Sequence, residues 1–74
     1  MKKNYVVVNT DPITGKIYEA KIAKNIDELR RLKACYSLKA SKDDCTFRTL
    51  DDNMYAIYDG DIEIARIQVA KISN

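Results

Sequence analysis

The stretch Met54-Tyr55-Ala56-Ile57-Tyr58-Asp59-Gly60-Asp61-Ile62-Glu63-Ile64 decides the fold. Asp-Gly between two runs rich in β-branched and aromatic residues is the strongest short hairpin signal. A two-residue type I′ turn needs positive φ at both central positions, which Asp and Gly tolerate best. A turn at Asp59-Gly60 pairs Ile57 with Ile62 and Tyr55 with Ile64, all four on one face. Met54, Ala56, Tyr58, Glu63 and Ala65 then take the other. Downstream the apolar phase shifts, from even positions at Ile62 and Ile64 to odd positions at Ile67 and Val69. A bulge near Ala65-Arg66 would flip the register. A strand covered on both faces would ignore the phase, and a helix would fit Ile62, Ala65, Val69 and Ile72. The β-branched content of residues 62–72 favours the strand.

Working toward the N-terminus, Thr46 to Leu50 reads as the third strand and Asp51-Asp52-Asn53 as its turn. Before them the apolar period is 3.6 rather than 2. Ile26, Leu29, Leu32, Tyr36 and Ala40 gather on one helical face. Asn25 is placed as N-cap with Glu28 as its capping-box partner. Asp27 precedes Arg30 and Arg31 by three and four residues, which suits an exposed helical side. Leu38 falls outside the apolar face, so the helix is expected to end within 37–40, with Ser41-Lys42-Asp43-Asp44 as a polar loop. A first hairpin opens the chain. Tyr5-Val6-Val7-Val8 is a continuous apolar run of the kind found in central strands. Asp11-Pro12-Ile13-Thr14-Gly15 is a turn. Residues 16–23 return with Tyr18, Ala20 and Ile22 on one side, and Ile17, Glu19 and Lys21 on the other. Gly15 to Ile22 and Gly60 to Ile67 share the pattern Gly-x-Ile-x-x-Ala-(Lys/Arg)-Ile. Two hairpins of like geometry, or a duplicated hairpin, would each produce it.

The order is thus ββαβββ, one domain over residues 1–74. Hairpin neighbours, with the most apolar strands central, give an antiparallel five-stranded sheet of order 2-1-5-4-3. One helix on one face makes an α+β two-layer sandwich. A helix of about 14 residues, roughly 21 Å long, covers only one face. Strands 1 and 5 nevertheless put apolar residues on both faces: Tyr5 and Val7 against Val6 and Val8, and Ile62 and Ile64 against Ile67 and Val69. An uncovered apolar face of several hundred Å² is unusual on a monomer. A protein partner is therefore expected there, most simply a second copy related by a two-fold axis. Strong curling of the sheet is the competing explanation.

Composition narrows the chemistry. The 74 residues hold 13 Lys plus Arg, 11 Asp plus Glu, two Cys and no His. Without His, no Ser or Cys has the usual base to activate it, and the commonest metal ligand is missing. Cys35 and Cys45 lack metal-site spacing and are expected as free, mostly buried thiols. Asp59-Gly60-Asp61-Ile62-Glu63 alternates oxygens without the length of a calcium loop. Two glycines cannot build a phosphate cradle. No catalytic, cofactor or metal site is predicted, and the chain is not expected to be an enzyme. Lys2 and Lys3 precede an apolar run far shorter than a leader needs, and no stretch reaches membrane-span length. A cytoplasmic protein is expected.

The net charge of +2 conceals an asymmetry. Residues 1–42 carry ten basic and four acidic side chains, whereas residues 43–63 carry one and seven. Such bipolarity can orient a docking partner, and ordinary solvation of Asp-rich turns produces it too. Tyr and Arg dominate interface hot spots. Tyr18, Tyr36, Tyr55 and Tyr58 are the aromatic candidates, with Tyr36 and Tyr55 better suited to the core. The partner-binding set is Tyr18, Tyr58, Lys21, Arg30 and Arg31. The leading expectation is a small interaction protein: a regulator, adaptor or inhibitor. The alternative is a nucleic-acid-binding module using the basic first hairpin and the helix, with Tyr18 and Tyr58 stacking on bases.

Overall fold

A computed structural model describes residues Lys3–Ser73. Lys2, weighed above as part of a leader, lies outside them. The elements are β1 (Lys3–Thr10), β2 (Ile17–Ala23), α1 (Ile26–Lys42), β3 (Thr46–Asp51), β4 (Met54–Asp59) and β5 (Ile62–Ser73). They form one antiparallel sheet of order β2-β1-β5-β4-β3 with a single helix, the expected α+β arrangement. Residues 62–73 are strand throughout.

The first hairpin closes on Gly15, whose φ of +76° favours glycine. Asp11 Oδ1 accepts from Ile13 N at 2.9 Å, and Asp11 O accepts from Gly15 N at 2.8 Å. Asn25 caps the helix as expected, its Oδ1 accepting from Glu28 N at 2.9 Å. Glu28 reaches back to Lys24 N at 2.7 Å, one residue before the cap. The helix runs past 37–40 to Lys42 because its end is a Schellman motif. Cys45 N donates to Ala40 O at 2.7 Å and Asp44 N to Ser41 O at 3.1 Å. Asp44 holds φ +61° at the position usually taken by glycine. That substitution is why Ser41-Lys42 passes for loop.

The second hairpin departs from the expected register. Asp59 pairs with Ile62, so the two-residue turn is Gly60-Asp61. Gly60 has φ +63° and Asp61 does not share a positive φ, the signs of a type II′ turn rather than I′. Tyr58 then faces Glu63, but Ile57 faces Ala65 and Tyr55 faces Ile67. Ile64 is the extra residue of a bulge, just upstream of the expected Ala65-Arg66. The bulge switches the phase and brings Ala65, Ile67 and Val69 to the helix side. Ile62 and Ile64, expected opposite Ile67 and Val69, lie on that same side at the sheet's end and are exposed. A second bulge in β2 places Tyr18 and Glu19 both opposite Asn9. Tyr18 therefore leaves the face of Ala20 and Ile22, and Ile17 joins that face through its partner Thr10. The two Gly-x-Ile-x-x-Ala stretches end up inverted: Ala20 and Ile22 point away from the helix, Ala65 and Ile67 toward it.

The core lies between α1 and one sheet face. Val7, Ala23, Tyr55, Ile57, Ala65, Ile67 and Val69 meet Leu29, Tyr36 and Ala40, with Tyr5, Leu32, Cys45 and Phe47 at its margin. Tyr36 and Tyr55 are buried, as expected. Phe47 stacks on Tyr55 with centroids 5.5 Å apart. Tyr55 OH accepts from Lys33 Nζ at 3.1 Å and donates to Asp52 O at 3.2 Å. Both thiols are free, as expected, but neither is buried. Cys35 lies on the flank of the helix beside β2 and is exposed, and Cys45 is half-buried. Burial and the aspartates 43, 44 and 59 push the Cys45 thiol pKa up. Among the described residues, no helix is long and apolar enough to cross a membrane.

Candidate partner-binding face

Antiparallel partners share a face, so the ladders define which residues cross the side away from the helix. Ile22, Val6 and Ala70 form one row over β2, β1 and β5. Ala20, Val8, Gln68 and Met54 form the next, reaching β4. Ile17 and Ile72 flank these rows. Among the described residues, no element covers them. Ile22 is 66% exposed, Ile17 60% and Ile72 41%, with Val6, Val8 and Met54 half-buried. A depression of about 490 Å³ opens over Val6, Val8, Met54 and Ala70, walled by Asp51, Asp52 and Asn53 of the β3–β4 turn.

The β4–β3 half of this face is polar. Arg48 lies over the Tyr58 ring, its guanidinium carbon 4.9 Å from the centroid. Arg66 makes a bidentate pair with Glu63 at 2.7 and 2.8 Å. That pairing raises the Arg66 pKa above its ordinary value. Ala56 lies between Arg48 and Arg66 in the ladder and is fully buried. The open face therefore has an apolar half and a half carrying Tyr58 with two arginines.

Of the five residues singled out from the sequence, only Lys21 and Arg31 come together. Tyr58 is half-buried on the open face. Tyr18 is exposed on the helix side of the sheet, close to Asp11, and burial with that carboxylate raises its pKa. Lys21 also lies on the helix side, 3.4 Å from Glu19. It lines a groove of about 390 Å³ with Ile22, Arg31, Leu32 and Cys35. Arg30 is exposed on α1, 3.8 Å from Asp27. Arg48, outside the set named from the sequence, joins Tyr58 on the open face. Its signal was the i, j pairing of β3 with β4, invisible until the register is known.

A third concavity, about 310 Å³, lies at the C-terminal end of α1. Tyr18, Glu19, Tyr36, Lys39 and Asp43 line it over Ile57, Ile64 and Ala65. Tyr36 OH donates to Glu19 Oε1 at 2.9 Å. That donation holds the Glu19 carboxyl below its usual range, while burial and the same carboxylate push the Tyr36 hydroxyl well above its own. Asn9 Oδ1 is buried there without a partner. The acidic segment 43–63 does not form one patch. Asp43, Asp44, Asp59 and Asp61 sit at this end of the sheet, and Asp51 and Asp52 at the other.

No protein-family model, curated protein or solved structure matches this chain.

Proposed function

We propose that this chain is a small non-catalytic interaction protein of the cytoplasm, a regulator, adaptor or inhibitor. It acts by binding protein through the open face of its sheet. One observation carries the reading. Edge strand β2 turns its charged residues, Glu19 and Lys21, toward the helix side and its apolar residues, Ile17, Ala20 and Ile22, away from it. Ordinary amphipathic patterning places the apolar side of a strand on the covered face. Here the apolar side is the uncovered one, continuous with Val6, Val8 and Ala70. The neighbouring Tyr58, Arg48 and Arg66 supply the residue types that anchor protein interfaces.

Lys21 and Arg31 in one groove favour nucleic acid as the second reading. Against it, Glu19 pairs Lys21, Asp27 pairs Arg30, and Tyr18 is drawn to Asp11.

A photo-reactive amino acid at position 22, compared with one at exposed Leu38 on α1, tests the proposal in cells expressing the full chain. Covalent adducts from position 22 and not from position 38 are expected. Adducts from position 38 alone, or from neither, refute it. Oligonucleotide binding that falls steeply with salt while position 22 stays unreactive would establish the second reading instead.

A further inference from the structure

We infer that the concavity at the C-terminal end of α1 is a binding site for an organic cation, a primary ammonium group carried on a short apolar stem. The site lies on the helix side of the sheet and does not depend on the open face. Its polar lining consists mainly of hydrogen-bond acceptors. Tyr36 gives its one hydroxyl hydrogen to Glu19 Oε1 and has only lone pairs left to offer. The close contacts of Glu19, from Tyr36 OH and Lys21 Nζ, both fall on Oε1, so Oε2 is open among the described residues. Asp43 adds a second carboxylate. Asn9 faces Glu19 across the β1–β2 ladder, which sets their Cβ atoms about 5 Å apart. Its Oδ1 is buried with no hydrogen-bond partner, a state that native acceptors rarely keep. Because nothing holds that oxygen, the amide can turn it into the cavity that Asn9 lines without breaking a bond to it. A ligand that meets these groups together must bring several N–H donors on one centre, and an ammonium brings three.

The sign of the charge follows from the same walls. The last turn of α1, where the helix dipole is negative, forms one of them. Glu19 and Asp43 line the cavity, and Asp44, Asp59 and Asp61 stand at the same end of the sheet. Lys39 and Lys42 oppose them from the last helical turn, and neither has an ion pair among the described residues. A bound metal ion is the poorer match. Hard cations take six or more oxygens, and among the described residues no three carboxylate or thiol groups converge.

The floor defines the rest of the ligand. Ile57, Ile64 and Ala65 are apolar, and Ile64, the extra residue of the β5 bulge, is 40% exposed. A stem of about four carbons lies along that floor when its nitrogen sits between Asn9 and Glu19. The cavity of about 310 Å³ is at the small end of the range that holds organic ligands, about 300–1,000 Å³.

Amide shifts of the full ¹⁵N-labelled chain, titrated with butylammonium, test the inference. Saturable shifts are expected at Asn9, Glu19, Ile57 and Ile64, with a dissociation constant near ~1 mM, which five non-hydrogen atoms can reach. Butyrate, the same stem with the opposite charge, should leave these residues unmoved. Glu19→Gln, its fold checked by circular dichroism, should weaken butylammonium about tenfold by making a charge-assisted bond neutral. Lys39→Met should tighten it about threefold by removing the chain's own ammonium from the rim. Saturable binding of butyrate that Lys39→Met abolishes would make this an anion site and overturn the inference. Shifts that do not saturate, or that Glu19→Gln leaves unchanged, overturn it too. Two further probes separate the sources of the cation. Nα-acetyl-lysine methylamide binding as tightly as butylammonium assigns it to a lysine side chain of a protein. Binding of 1,4-diaminobutane with the blocked lysine excluded assigns it to a free amine.

Discussion

Replacing Ile67 and Ile22 separately by alanine tests which sheet face is the core. The two residues have the same chemistry and differ in burial. Ile67 is completely buried on the helix side of central strand β5, beside Asn9 and Tyr55 in the ladder. Ile22 is 66% exposed on edge strand β2, on the open face. The change deletes three carbons in each case. At Ile67 the transfer loss is about 2.4 kcal/mol at 0.8 per methylene, and the cavity left behind brings the total to roughly 3–4 kcal/mol. At Ile22 only a third of the side chain is withdrawn from water within one chain, so the cost is about 0.5–1 kcal/mol. A domain of this length has roughly 4–11 kcal/mol in total, so Ile67→Ala removes about a quarter or more of it.

Urea unfolding followed by circular dichroism at several protein concentrations is the assay. The midpoint of Ile67→Ala should fall at every concentration with the slope unchanged. The midpoint of Ile22→Ala should lie close to wild type at low concentration. Equal losses for the two variants at low concentration would mean that both faces are covered within one chain, the curled-sheet alternative. The placement of the core and the case for the open face would then both fail.

Three further outcomes follow from local chemistry. Asn25→Ala removes the acceptor for Glu28 N and should cost about 1 kcal/mol in the same assay, with Asn25→Ser restoring most of it. Gly60→Ala meets no atom within 4 Å but must hold φ +63°, so it should cost about 1 kcal/mol, with Gly60→Asn nearer to wild type; equal values would argue against a left-handed Gly60. Glu19 is ionised more easily in the folded chain than in the unfolded one, chiefly because Tyr36 donates to it. A depressed carboxylate pKa stabilises the fold above the unfolded value of about 4.3 and loses that stabilisation as pH falls through the folded value. Glu19→Gln keeps an acceptor for Tyr36, so its stability should decline less between pH 5 and 3 than that of wild type, read as urea midpoint against pH.

The sequence made the architecture legible because three independent signals agreed on it. The Asn25 cap, the change of period at Ile26 and the Tyr5–Val8 run each follow from local physics, and strand order followed from hairpin adjacency. What failed depended on single residues that set register. One residue separates a turn at Asp59-Gly60 from one at Gly60-Asp61, and both pairs are acceptable turn chemistry. The bulge at Ile64 was implied by the phase shift, but its position required knowing the partner of Ile57. The bulge at Tyr18 had no such signal, since Tyr18, Ala20 and Ile22 alternate perfectly. It alone moved a candidate anchor from the open face to the other side. The helix end was hidden because Asp44 fills a position where glycine would have announced it. The open face was legible in outline from Val6 and Val8 opposing Tyr5 and Val7. Its extent was not, because Ile62 and Ile64 proved to lie on the helix side, and Ala70 and Ile72 took their place.

Those exchanges bear on why the open face exists at all. A helix of 17 residues is about 25 Å long and 10 Å wide, so α1 shields roughly 250 Å² of a sheet more than twice that size. On the helix side the sheet answers the shortfall with polar residues around the margin of the helix: Glu19 and Lys21 on β2, Thr49 on β3, Lys71 on β5. Solvent is thus anticipated along β2 on that side, although Ile62 and Ile64 at the sheet's end are exposed there too. On the open face, where no element reaches at all, the same strand β2 carries Ile17, Ala20 and Ile22. A chain patterned for water on both uncovered regions would treat them alike. The contrast within one seven-residue strand separates a surface patterned for water from one patterned for contact. It also bears on stability: a domain this short buries only about 60% of its unfolded surface alone, and contact on the open face adds the burial that α1 cannot supply.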